Sequence, residues 1–237
     1  MNDSSPKKSE NGHASSRQPQ LKYFRMKKTI TVLCMLGFIF SINAQDLQTI
    51  KLKTPNKTGG TSVLEAFSKR QSVREYSDKQ LSEQDLSNLI WATIGINRTE
   101  SGKRTAPTAM NKQEIDLYVF FPEGVYLYNA KEHSLVPVVK GDFYSLIAVK
   151  QDFVHKAPVI LLLVADISKF DGDNNEQKML FGALDAGIAS QNISIFCAGT
   201  NMATVPRAWM DNDAIKKALN LKDTQYPMLN HPVGHSK

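Results

Sequence analysis

Pro158-Val159-Ile160-Leu161-Leu162-Leu163-Val164-Ala165 is the stretch on which the fold turns. A continuous apolar run of this length, opened by proline, predicts a strand buried on both faces. Upstream of it, Ile115–Phe121 and residues 125–129 alternate in character around Pro122-Glu123-Gly124, which predicts a hairpin. Residues 135–139 add a third, weaker strand, and 226–233 a closing one. The helical stretches lie between and around these. Residues 62–69 carry Val63, Leu64 and Phe67 on one face. A second helix starts at Ser82, whose side chain can cap it while Asp85 favours its positive end. Leu86, Leu89, Ile90 and Ile94 then recur at helical spacing, and Gly95 is a natural stop. Residues 143–155, 176–198 and 213–219 complete the helices. In the longest, Leu180, Leu184, Ile188 and Ile195 share one side. Residues 97–112 read as a polar loop broken by Gly102 and Pro107. Without regular βαβ alternation, the pattern predicts an α+β fold with helices packed on a central mixed or antiparallel sheet.

The first 44 residues stand apart from this domain. Residues 1–25 are rich in Ser, Asn, Lys, Gln and Pro and almost devoid of aliphatic side chains. Such a composition cannot offset the entropy of ordering it, so a disordered tail is expected. Met26-Lys27-Lys28 then precedes the mostly apolar Ile30 to Phe40, and Ser41-Ile42-Asn43-Ala44 places a small residue before Gln45. This is the layout of a secretory signal peptide at 26–44, with Met26 as the expected start and 1–25 an over-long beginning. The apolar run falls short of the ~20 residues a membrane span needs, although an uncleaved anchor is the alternative. Export to the periplasm or beyond is expected, with residues 45–237 as one domain and no stable membrane insertion after cleavage.

Charge supports that division. The whole chain is formally +6, but seven of its 29 basic and two of its 23 acidic residues fall in the first 44. The remainder carries 22 against 21, a net +1. No basic stripe with interleaved aromatics is present, which excludes a nucleic-acid-binding reading. Past residue 44 Cys197 is the only cysteine, so no internal disulfide can form, and no Cys/His cluster has zinc spacing. Cys197 in Ile195-Phe196-Cys197-Ala198 reads as a small buried hydrophobe.

Five segments could carry chemistry. Arg70-Gln71-Ser72-Val73-Arg74-Glu75-Tyr76 puts two guanidinium forks and a hydroxyl within five residues. It is either a phosphate clamp or a solvated surface run. Pro107-Thr108-Ala109-Met110-Asn111-Lys112-Gln113 offers amides that donate and accept, as a flavin's imide edge requires. Asp185-Ala186-Gly187-Ile188-Ala189-Ser190-Gln191-Asn192 on the long helix combines small residues with polar ones that need partners if buried. There a structural role competes with a chemical one. The loop Gly199-Thr200-Asn201-Met202-Ala203-Thr204-Val205-Pro206-Arg207 could present backbone N–H groups to a ring. In Pro232-Val233-Gly234-His235-Ser236-Lys237, Lys237 could add a cation or be a solvated tail.

The order of these segments resembles the nitroreductase family of FMN-dependent oxidoreductases, from about Leu64 to Lys237. Arg70, Ser72, Arg74 and Tyr76 match the opening signature. Pro107, Thr108, Ala109, Asn111 and Gln113 match the second, and Asp185, Gly187, Gln191 and Asn192 the helix motif. Val233, Gly234 and Lys237 match the close. The resemblance implies that Arg70, Gln71, Ser72 and Arg74 contact the FMN phosphate, ribityl chain and pyrimidine edge. It places Asn111, with Gln113 close by, at the ring system, and Met202, Ala203 and Thr204 opposite flavin N5 and O4. Lys237 with Arg207 would finish the phosphate site. It also implies a homodimer with the flavin between subunits. Two departures stand out: Glu114-Ile115 replaces the aromatic that often follows the Asn-x-Gln loop, and the loop at 200–204 lacks the commoner glycines. Thr204-Val205-Pro206-Arg207 looks more like the peptide-modifying SagB-type dehydrogenase branch.

The implied activity is a two-step hydride transfer through flavin N5, from NAD(P)H or another donor to a nitroaromatic, quinone or similar acceptor. No side chain is needed as a nucleophile, and no Ser-His-Asp or Cys-His set suggests one. His133, His155, His231 and His235 are scattered and read as structural or exposed. The alternatives are a SagB-like dehydrogenase acting on a peptide-derived substrate and a non-catalytic FMN-binding protein.

Overall fold

The computed structural model describes residues 46–237; the expected tail and signal peptide lie outside the described residues. At the centre is the strand expected from the apolar run, β7 (Val159–Asp166), with all eight residues buried. Its side chains feed two cores by simple alternation. Val159, Leu161, Leu163 and Ala165 point to one face. There they meet Leu89, Ile90 and Ile94 of α2 (Glu83–Ile94) and Ala186, Ala189, Ile193 and Cys197 of α4 (Asn175–Gly199). Ile160, Leu162 and Val164 point to the other, against Tyr144, Ile147 and Ala148 of α3 (Tyr144–Ala148) and Ile215 of α5 (Asn212–Ala218). Each such fully buried aliphatic side chain contributes about 1.5–3 kcal/mol, so a strand that buries both faces anchors the domain.

Around β7 the sheet runs β1 (Ile50–Lys51), β6 (Ser134–Lys140), β5 (Gly124–Asn129), β4 (Ile115–Phe121), β7, β9 (Gln225–His235), β8 (Met202–Thr204). Every neighbouring pair is antiparallel, which narrows the expected mixed or antiparallel sheet to the second form. The architecture is α+β, as expected.

The helix boundaries follow their predicted chemistry with one refinement. Ser82 Oγ accepts the Asp85 N–H at 3.1 Å and donates to the Asp85 carboxylate at 2.7 Å, a reciprocal cap for α2. Gly95 does end this helix, but in an extended rather than a left-handed conformation (φ −68°, ψ 160°). Its value is space: a Cβ there would collide with the Trp91 indole. Asn192 of α4 donates to the carbonyls of Ala92 and Thr93 at 3.1 and 3.2 Å. It thereby satisfies carbonyls that the end of α2 leaves without helical partners. That bond locks α2 to α4 and answers the need for a partner that the sequence raised.

Four local expectations change. Residues 143–155 are not one helix: α3 stops at Val149, whose φ of 53° is costly for a β-branched residue. A 3-10 turn, Asp152–Lys156, follows. The loop 97–112 is partly ordered, with a small hairpin of β2 (Ile96–Arg98) and β3 (Lys103–Arg104) and a 3-10 turn at Ala109–Asn111. The loop at 202–204 is edge strand β8, paired with β9. The apolar face of α1 (Val63–Lys69) is not buried within the chain: Leu64 is 81% exposed, and Val63 and Phe67 are also exposed.

Candidate functional site

Where α1 ends, the chain leaves in extended form and crosses the open edge of the sheet. Val73 donates its N–H to Thr204 O at 2.9 Å, and Ser77 donates to His235 O at 2.9 Å. This bracing makes the start of the segment, up to Val73, one wall of a cleft of about 480 Å³. Arg70, Gln71 and Val73 line it from this wall, Ser194 and Cys197 from the last turns of α4, and Met202 and Thr204 from β8. Asn201 and Ser236 stand at its rim. Among the described residues, the side chains of Arg70, Gln71 and Ser72 have no hydrogen-bond or ion-pair partner, and all three are exposed. Unspent donors on a braced backbone are what an anionic ligand needs.

The other expected cations are placed differently. Arg74 lies over the Phe153 ring, 5.9 Å from its centre, outside the cleft lining. Lys237 is exposed, with its Nζ 3.7 Å from Glu75. A pair between two exposed groups is worth at most about 1 kcal/mol, so a stronger anion can displace Glu75. Arg207 is corrected outright. Its guanidinium is buried and donates to Gln151 Oε1 at 2.8 Å, Asn230 Oδ1 at 2.7 Å and Ile147 O at 3.1 Å. It joins β9 to the α3 region and has no fork left for a phosphate. Arg207→Ala is therefore expected to lower stability by about 2–3 kcal/mol, from the stranded acceptors, while leaving ligand affinity intact. Thermal melts and ligand titration on the same variant check this. A loss of affinity at unchanged melting temperature would return Arg207 to the site.

Asn111 and Gln113 do not reach the cleft within one chain. Their turn docks on α4 at Asp185, whose carboxylate accepts the Ala109 N–H at 2.7 Å. Asp185 lies nine residues before Ser194 on α4, about 14 Å along the axis. Gln113 is turned inward, donating to Gly102 O at 3.0 Å. The turn is strained: Met110, Asn111 and Gln113 take φ of 54°, 55° and 50°, the left-handed region that non-glycine residues enter at a cost. Met110 and Asn111 are exposed.

Two buried polar groups have roles that the sequence left unspecified. His231 is fully buried, with Ser190 Oγ 2.7 Å from Nε2 and Thr204 Oγ1 3.2 Å from Nδ1. Thr204 gives its own proton to Pro232 O at 3.0 Å, so it accepts from Nδ1–H, and Nε2 accepts from Ser190. Burial holds this imidazole down to about 3, leaving it neutral. It ties α4 to β9 and β8 behind the cleft. Glu114 is likewise fully buried, and neither carboxyl oxygen has a donor partner. Burial and the neighbouring Asp185 carboxyl push it up to about 8. The sequence showed Glu114 only as a departure from an aromatic position. Cys197, as expected, is buried, and burial pushes its thiol up, away from nucleophilic use.

Known proteins resemble this chain in sequence and in fold. The family model described as the nitroreductase family matches residues 67–235. A Methanocaldococcus jannaschii protein named as a nitroreductase is 29% identical over 209 residues, spanning 84% of this chain and 98% of the relative. A crystal structure described as a Ralstonia eutropha nitroreductase superposes with a TM-score of 0.75 at 30% identity, covering 81% of this chain and 90% of that one. A Bacillus subtilis protein named FMN reductase (NAD(P)H) is 23% identical over 187 residues, 73% of this chain and 65% of the relative. Fold, cleft and relatives together define an oxidoreductase of the flavin type. The chain belongs to the nitroreductase family.

Proposed function

We propose that this chain is an FMN-dependent oxidoreductase that acts as a homodimer. In this reading it carries electrons from NAD(P)H or another donor to a nitroaromatic, quinone or similar acceptor. The observation that carries it is the pair of unspent side chains at Arg70 and Gln71 on the wall of the 480 Å³ cleft. The fit to FMN is chemical. A planar guanidinium with free N–H groups suits a phosphate, and the amide of Gln71 can both give and accept hydrogen bonds. The cleft volume lies within the range of small-molecule and cofactor sites, about 300–1,000 Å³. When bound, the flavin supplies the hydride chemistry. The chain's own residues grip the phosphate end, and Met202 and Thr204 on β8 form the opposing wall.

Dimerisation is supported by what one chain leaves uncovered. Leu180, Leu184 and Ile188 recur along α4 at helical spacing and are all exposed, beside the exposed Val63, Leu64 and Phe67 of α1. Gly187 sits within that stripe with open space where a side chain would be, which suits close approach of another backbone. A two-fold copy would cover both faces and could bring its Asn111 turn to the cleft that Asn111 does not reach in its own chain. Export through the segment at 26–44 is part of this reading. Because pyridine nucleotides are not expected in quantity outside the cytoplasm, a quinone or protein donor then competes with NAD(P)H.

The test is optical. The purified protein should be yellow, or become so with added FMN, and NADH or NADPH should bleach it anaerobically. A colourless protein that takes up no FMN would overturn the reading. A yellow protein bleached only by reduced quinone would assign the donor instead.

A further inference from the structure

We propose that Glu114 and Asp185 share one proton, and that this pair acts as a pH-dependent catch that positions the Ala109–Asn111 turn on α4. The functional meaning of the catch rests on the reading of Asn111 as a cofactor-facing residue; its geometry does not.

Three observations carry it. The turn is fastened to α4 by one side chain, since Asp185 Oδ2 accepts the Ala109 N–H at 2.7 Å. Glu114 ends the segment on the other side of the turn, fully buried, with both carboxyl oxygens unpartnered and the Asp185 carboxyl as its neighbour. With no donor on either of its oxygens, that contact requires a proton between the two acids. Finally, the backbone between these fastenings is left-handed at Met110, Asn111 and Gln113, a shape that relaxes unless held.

The charges around the pair do not replace the proton. Lys169, which follows β7, already donates to Gln113 O at 3.1 Å and to Asp116 of β4 at 3.2 Å. Arg104 of β3 donates to Ile115 O at 3.1 Å, and burial lowers its own basicity. Neither makes a hydrogen bond to Glu114. When the proton leaves, two buried carboxylates face each other and repel, and Glu114 takes the end of the turn with it.

The sign of the effect follows. Glu114 is raised in the folded chain, from 4.5 to about 8. Its contribution is intact below 4.5 and is lost as pH rises through 8, because the unfolded chain binds the proton less tightly.

Hydrogen exchange over residues 107–114 of the full chain, without added flavin, tests the catch. The proton is absent in about one chain of a hundred at pH 6 and in about nine of ten at pH 9, so protection should fall about a hundredfold between them after correction for intrinsic rates. Glu114→Gln should keep the pH 6 protection at both pH values, because its amide can donate to Asp185 without titrating. Asp185→Ala should be poorly protected at both, with β4 and β7 still protected. A wild-type profile that stays flat, or that Glu114→Gln reproduces, overturns the catch. FMN titration at both pH values separates the two ideas. If protection falls and affinity does not, the catch stands and Asn111 loses its place at the flavin.

Discussion

Arg70→Ala will raise the dissociation constant for FMN about 10- to 100-fold, because a hydrogen bond to a charged partner is worth about 1.5–3 kcal/mol. The size follows from what Arg70 lacks. Its guanidinium has no internal partner among the described residues, so its binding capacity is not divided with the protein. The backbone beneath it is fixed by the Val73 bond to Thr204 at 2.9 Å, so little ordering is needed on binding. Arg70→Lys should recover only part of the loss, since an ammonium cannot offer two parallel bonds to a phosphate. Fluorescence titration of added FMN measures both. Unchanged affinity in Arg70→Ala would remove the cation from the site and leave the cleft without its clamp.

The second large effect belongs to α4. Leu184→Glu combined with Ile188→Glu should convert the protein to a monomer and strip its flavin. Leu184 is 56% and Ile188 39% exposed in the single chain, so charge is tolerated there until a partner must bury it. Full burial of such a side chain is worth about 1.5–3 kcal/mol, of which about half is still to be gained here, and two-fold symmetry counts each side chain twice. The pair therefore represents roughly 3–6 kcal/mol of association, at least two orders of magnitude in the dimer constant. Sedimentation velocity reads the outcome directly. A dimer that persists with the double substitution would put the subunit contact on another face.

Much of this fold was legible in the sequence because the strongest signals are local. The run at 159–165 appears as β7, the alternating hairpin as β4 and β5, and Ser82 caps α2 as its spacing predicted. The failures are equally physical. β8 is three residues long and owes its strand character to β9, a partner some thirty residues away that no local pattern reveals. The break at Val149, where the backbone turns left-handed at φ 53°, runs against the helical pattern of its neighbours. At the cleft, residue type pointed to Arg70 and Gln71, which line it, and equally to Arg74, which lies over the Phe153 ring instead. Arg207 misled for the same reason: a guanidinium in a loop looks free until Asn230 and Gln151 are seen to hold it. Burial also hid the meaning of Glu114, since a carboxyl between Gln113 and Ile115 resembles any surface acid in one dimension.

The short strand β8 has a consequence beyond its part in the cleft. It is the last rung of the sheet, and an uncovered last rung invites pairing with other chains. Here the segment that offers Arg70 also lies along that rung, attached through the Val73 N–H. A ligand held by Arg70 therefore holds the cover shut as well, and it favours the closed form by mass action. On the proposed reading, the grip on a small anion and the cover over the sheet edge would depend on the same few backbone bonds.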